Sequence, residues 1–141
     1  IVVAAQSDNS NKDAVYVYNT DGTGEQKITA SDATTNDLFG SAVAISDTHI
    51  VVGAFNESQK GAAYVYNTDG TGEVKITASD GASGDRFGCS VAIQGDKIIV
   101  GADSENSNQG AAYIYNTDGT GEQKITASDA AGAAYFGQSV A

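Results

Sequence analysis

The same eight residues, Tyr-Asn-Thr-Asp-Gly-Thr-Gly-Glu, begin at Tyr18, Tyr66 and Tyr115, at spacings of 48 and 49 residues. Each copy is followed by Lys-Ile-Thr-Ala-Ser-Asp, starting at Lys27, Lys75 and Lys124, and then by Phe-Gly at Phe39, Phe87 and Phe136. A chain that repeats at this period is an array of one supersecondary unit, and such a unit cannot bury its apolar face alone. The 141 residues therefore read as a single repeat array with units at about 1–38, 39–86 and 87–135, and with 136–141 as the first strand of a further unit.

Within a unit, four short runs carry a strand pattern, and the middle copy shows them best. Cys89 to Ile93 alternates small or polar residues with Val91 and Ile93, and Lys97 to Ala102 carries Ile98, Ile99 and Val100. Ala111 to Tyr115 sets Tyr113 and Tyr115 on one side and Ile114 on the other, and Glu122 to Thr126 holds Ile125 among polar neighbours. Period-two alternation, β-branched and aromatic content and Gly/Asp/Asn turns predict strands. No stretch keeps a helical period, so the chain is all-β. The Asn-Thr-Asp-Gly-Thr-Gly segments fit tight hairpin turns, because Asp-Gly and the second Gly accept positive φ.

Four antiparallel strands repeated at this interval predict β-propeller blades. Ile1 aligns with Ile50 at the start of a second strand, while Ala141 aligns with Ala44 and Ala92 at the end of a first strand. Pairing of the C-terminal strand with an N-terminal second strand, by exchange between the ends or with a neighbouring copy, would complete one more blade. Three blades are too few to close a ring, and open edges invite pairing. The expectation is a longer parent chain, or self-association of copies into a six-bladed ring or a fibre. The absence of Met and the opening on Ile1-Val2-Val3 read as a processed chain or a piece of a longer one.

The formal charge is -11, with 18 acidic and 7 basic residues. Nucleic acid and anionic membrane both need a basic surface, so neither is expected as a partner. No run of about 18 apolar residues is present, and membrane insertion is not expected.

The middle unit reads Asp85-Arg86-Phe87-Gly88-Cys89-Ser90-Val91-Ala92-Ile93, then Ile99-Val100-Gly101-Ala102, then Gly110-Ala111-Ala112-Tyr113-Ile114-Tyr115. This pattern resembles the FG-GAP repeat family, whose blades also build the propeller of integrin α subunits. It is closest to the short microbial repeat of about 49 residues, in which Ala78-Ser79-Asp80-Gly81-Ala82 precedes the Phe-Gly. The motif positions carried over are Phe39, Gly40, Phe87, Gly88, Phe136 and Gly137, together with Gly53, Ala54, Gly101 and Ala102. The family's Gly-Ala-Pro is here Gly53-Ala54-Phe55 and Gly101-Ala102-Asp103. The calcium hairpin of integrin-type blades is missing between the first two strands, so its ligation does not carry over. The resemblance implies a non-catalytic, extracellular or cell-surface structural or adhesion module, with glycans or cell-surface proteins as partners. The alternative is a lectin-like or adhesin-like propeller that binds carbohydrate or depends on calcium.

Catalysis needs a nucleophile with a base, a carboxylate pair in a pocket or a metal cluster. His49 is the sole histidine and is expected at a solvated hairpin tip; Cys89 is the sole cysteine, replacing Ser41 and Gln138 of the other copies. Neither makes a zinc site or a catalytic pair. No cofactor is assured, and calcium is the one metal to carry forward. Its candidate oxygens are Asn19, Asp21 and Glu25 in the turn, and the polar loops holding Asp8, Asn9 and Asp13 or Asp103, Glu105 and Asn106. The turn's Gly content already explains the first group as a hairpin, and a solvated polar loop is the favoured account of the second. The pairs Tyr16/Tyr18, Tyr64/Tyr66 and Tyr113/Tyr115 either stack on sugars or pack between sheets. Asn56-Glu57-Ser58 matches a glycosylation sequon. The three identical turns reflect recent duplication or a surface that has to repeat.

Overall fold

The structure, a computed structural model, describes residues 1–5 and 13–141. It forms three antiparallel sheets, one per repeat. Blade 1 orders β1 (Val2–Ala5), β2 (Ala14–Val17) and β3 (Gln26–Ile28). Blade 2 orders β4 (Phe39–Ile45), β5 (His49–Ala54), β6 (Ala62–Asn67) and β7 (Val74–Ile76). Blade 3 orders β8 (Ser90–Gln94), β9 (Lys97–Ala102), β10 (Ala111–Asn116) and β11 (Gln123–Ile125) in the same way. The all-β class and the four-strand blade read from the sequence are thus present, and strand limits agree within a residue or so. Blade 1 has β1 at its edge, and Phe136–Ala141 carries no strand within the chain.

Alternation along the central strands decides which neighbour each blade touches. Ile50, Val52, Tyr64 and Tyr66 of blade 2 pack with Val15, Val17 and Ile28 of blade 1. The intervening residues Val51, Ala63 and Val65, with Ile76, pack against Ile98, Val100, Tyr113 and Tyr115 of blade 3. A two-residue period necessarily gives opposite faces. Each blade therefore has a leading face with two tyrosines and a trailing face of aliphatic side chains. Because the faces differ, the stack has a direction.

The loops after β5 and β9 each make one short turn, Glu57–Gln59 and Glu105–Asn108, with positive φ at Ser58, Asn106 and Ser107. They bring Glu57 and Glu105 toward the junction with the preceding blade. Among the described residues, no helix is long and apolar enough to cross a membrane.

Candidate functional site

The octapeptide turn satisfies itself. Asp69 Oδ1 accepts from Thr71 N at 3.0 Å and Thr71 Oγ1 at 2.6 Å, Asn67 Nδ2 donates to Thr71 Oγ1 at 3.1 Å, and Gly70 N donates to Asn67 O at 2.9 Å. The turns at Asp21 and Asp118 repeat these bonds. Hydrogen bonds from the threonine hold all three aspartates below the usual carboxylate range. Asn19 thus serves the turn through its Nδ2, which donates to Thr23 Oγ1, and Asp21 through Oδ1, which accepts from Thr23, as local Asx-type bonding favours.

The two ends of the octapeptide do something else. Tyr66 Oη donates to Glu73 at 2.9 Å, and Glu73 also accepts from Ser31 N at 3.0 Å and Ser31 Oγ at 2.5 Å, across the junction with blade 1. One junction later, Tyr115 Oη donates to Glu122, which accepts from Ser79 N at 3.1 Å and Ser79 Oγ at 2.6 Å. The turn itself also crosses, since Gln26 Nε2 donates to Asp69 O and a Cβ on Gly119 would touch Val74 at 3.0 Å. The repeated turn is therefore a contact between units as well as a hairpin, beyond what its Asp-Gly content implies.

A second latch lies beside the first. Lys75 Nζ meets Asp32 at 2.6 Å and Glu57 at 2.9 Å, and Tyr64 Oη donates to Asp32 at 2.8 Å. Lys124 meets Asp80 at 2.6 Å and Glu105 at 2.9 Å, and Tyr113 Oη donates to Asp80 at 2.8 Å. In each latch the lysine and the aspartate are the first and last residues of Lys-Ile-Thr-Ala-Ser-Asp, taken from successive units. The lysines also lie over tyrosine rings, Lys75 at 5.6 Å from Tyr64 and Lys124 at 5.5 Å from Tyr113, which adds a cation–π attraction. The hydrogen bond from Lys124 lowers the Asp80 carboxyl against the opposing pull of burial. At Asp32 burial acts upward, but the bonds from Lys75 and Tyr64 outweigh it and the carboxyl is also lowered. Burial, then the hydrogen bonds to Asp32 and Asp80, raise the phenols of Tyr64 and Tyr113, so both stay protonated donors.

The Phe-Gly motif seals the junction below these latches. Phe87 stands edge-on to Tyr113 at 5.4 Å and to Tyr115 at 6.1 Å, and Phe39 repeats this with Tyr64 and Tyr66 at 5.4 and 6.3 Å. Its glycine permits backbone contact between blades. Gly88 has φ +91, and a Cβ there would lie 2.2 Å from Ala62 O. Gly53 faces it, where a Cβ would lie 2.0 Å from Gly88 O. Gly61 and Phe87 form a parallel bridge across the same seam, and Gly110 with Phe136 repeats it. Phe136 and Gly137 thus sit on blade 3 as Phe87 and Gly88 sit on blade 2.

Of the loop candidates for calcium, four fall among the described residues. Asp8 and Asn9 lie outside the described residues, and Asp13 is buried beside β2. Asp103 is buried against the Arg86 guanidinium, at 3.0 and 3.2 Å, while Glu105 faces Lys124 and Asn106 Nδ2 donates to Gln109. These carboxylates face protein cations, and among the described residues no three metal-ligating side chains converge. A calcium cage needs six to eight oxygens, and among the described candidates Asp103 and Glu105 are directed at protein cations instead.

The remaining reactive groups have structural surroundings. Burial raises the Cys89 thiol, whose Sγ lies 3.7 Å from Gly137 O. His49 Nδ1 is 2.9 Å from Thr48 Oγ1 at the β4–β5 turn. Asn56 is exposed, and its Nδ2 donates to Asn36 O at 2.7 Å. Tyr64, Tyr66, Tyr113 and Tyr115 are buried between blades and present no ring face for a sugar.

The FG-GAP repeat profile matches residues 23–66, 71–115 and 120–141. The chain belongs to the FG-GAP repeat family. Comparison with curated proteins gives no match. The first two matched segments each run from the last strand of one blade through the first three strands of the next, so they span the junctions, and the family is typically non-catalytic.

Proposed function

We propose that this FG-GAP repeat chain is a non-catalytic, extracellular structural or adhesion module, part of a larger propeller-type assembly. The observation that carries this reading is the use of its polar repeat motif. Lysine, aspartate, serine, glutamate and tyrosine of the repeat are engaged in joining blade 1 to blade 2 and blade 2 to blade 3, as in Lys124–Asp80 and Glu122–Ser79. Side chains held in such a lattice supply rigidity rather than a nucleophile with its base. The net charge of -11 suits a solvated surface and disfavours nucleic acid.

Two measurements test the reading. Antibody labelling of intact source cells or their medium should find the protein outside the membrane; labelling only after permeabilisation removes the extracellular assignment. Surfaces coated with the protein should bind cells or a glycan array with equal strength in calcium and in chelator. Binding that a chelator abolishes would favour a calcium-dependent adhesin instead.

A further inference from the structure

The two junctions inside the chain share their latches and their Phe-Gly seal, and they share a backbone path. Asn56 N donates to Asp37 O at 3.2 Å across the first junction, and Ser104 N donates to Asp85 O at 3.3 Å across the second. The residue between that aspartate and the Phe-Gly is left-handed both times, Leu38 at φ +59 and Arg86 at φ +61. This conformation is uncommon for a side chain other than glycine. The backbone is thus fixed while the side chain it presents changes from apolar to cationic. The residue after Gly-Ala changes with it, from Phe55 in blade 2 to Asp103 in blade 3.

Arg86 touches both sides of its junction. Its guanidinium lies 4.6 Å from the Phe55 ring of blade 2 and reaches the Asp103 carboxylate of blade 3 at 3.0 and 3.2 Å. The arginine side chain is 42% exposed, but that of Asp103 only 3%. Ser104 Oγ also donates to Asp103, at 3.0 Å, and brings no charge. A carboxylate so deeply buried depends on its cation, and loss of one partner leaves a charge without compensation. Set behind Leu38 instead, blade 3 would bury Asp103 beside an apolar side chain. The latches make no such distinction, since Lys75–Asp32 and Lys124–Asp80 are the same contact at the same 2.6 Å.

We infer that Arg86 and Asp103 are specificity-determining residues for the order of the blades. Asp103 admits blade 3 only behind the linker that carries Arg86, and Phe55 holds the guanidinium from the blade 2 side. The pair separates two joints that the repeat otherwise makes interchangeable. Near-identical interfaces gain specificity in this way, by a penalty against the wrong neighbour. The penalty acts while the chain folds, when similar units of a repeat array are prone to misassembly.

Urea denaturation and refolding of the full chain test the pairing. Arg86→Leu copies the first linker into the second and should lower the urea midpoint by about 1 M. Asp103→Asn in the same chain removes the charge at constant shape and should recover most of that shift. Phe55→Asp moves the demand for a cation to the first junction, and Leu38→Arg should relieve its loss. Order itself is read by refolding at high protein concentration, followed by size-exclusion chromatography. In the Arg86→Leu, Asp103→Asn double variant neither junction rejects the other's blade, so the fraction regaining the wild-type hydrodynamic size should fall about twofold. A midpoint shift in Arg86→Leu no larger than in Lys60→Leu, a change at an exposed position, overturns the inference. So does failure of either second substitution to relieve the first. Full recovery of the double variant on refolding leaves the pair an ordinary contact and overturns its role in blade order.

Discussion

Val51, Val65 and Ile76 on the trailing face of blade 2 are buried beneath blade 3, whereas Ile125, in the position of Ile76 on blade 3, meets solvent. The same contrast divides the phenylalanines: Phe87 is 1% exposed, while Phe136 at the outer side of blade 3 is only half-buried. Residue type hardly changes between the two regions. Burial in this array is conferred by the next unit, so each unit's stability depends on its neighbours, as for repeat proteins in general.

The largest expected difference comes from the phenylalanines. Phe87→Ala removes a ring packed against two tyrosines and should cost about 3–5 kcal/mol in urea denaturation. Phe136→Ala should cost about 1 kcal/mol or less, because its ring is incompletely covered. Equal losses would break the distinction between sealed and open faces.

Glycines sharpen the comparison by separating contact from conformation. Gly88→Ala meets both positive φ and the backbone of Ala62, and should cost about 2–3 kcal/mol. Gly84 has φ +95 with nothing within 4 Å of an added Cβ, so Gly84→Ala should cost only about 1 kcal/mol. The same denaturation midpoint for both would show that the seam between blades tolerates a methyl group.

A smaller contrast lies in the latches. Asp80→Ala withdraws the partner of Lys124 and Tyr113 and should cost about 1 kcal/mol. In the isolated chain Asp129→Ala should be neutral by thermal melting. Acid titration gives the weakest signal. The folded-state pKa values of Asp32 and Asp80 are lowered, so their contribution is present above the unfolded value of about 4 and fades as pH falls through the folded value. Stability should hold through neutral pH and drop on acidification, with a shallower drop in Asp80→Ala and in high salt.

The blade was legible in the sequence because alternation and turn residues are local signals. Lys97–Ala102 was readable as a strand from its own six residues, and the fold follows from three such copies. The latch was not, although both of its residues were in plain view in the repeat. Lys75 meets Asp32 from 43 residues away, and Lys124 meets Asp80 from 44. Aligning the copies stacks lysine on lysine and aspartate on aspartate, which hides a pairing that runs diagonally between copies. Opposite charges recurring at both ends of one motif were the available sign. The ion pairs of two acidic loop residues were hidden for a related reason: the cations that Asp103 and Glu105 face, Arg86 and Lys124, come from other segments.

The diagonal pairing of Lys-Ile-Thr-Ala-Ser-Asp bears on how such a chain can lengthen. One unit supplies the lysine of one joint and the aspartate of the next, so a duplicated unit arrives with both halves of its new joints already compatible. Growth by copying requires no invention at the boundary. Divergence carries a small cost, because a change in a lysine leaves the aspartate of the preceding copy without that partner.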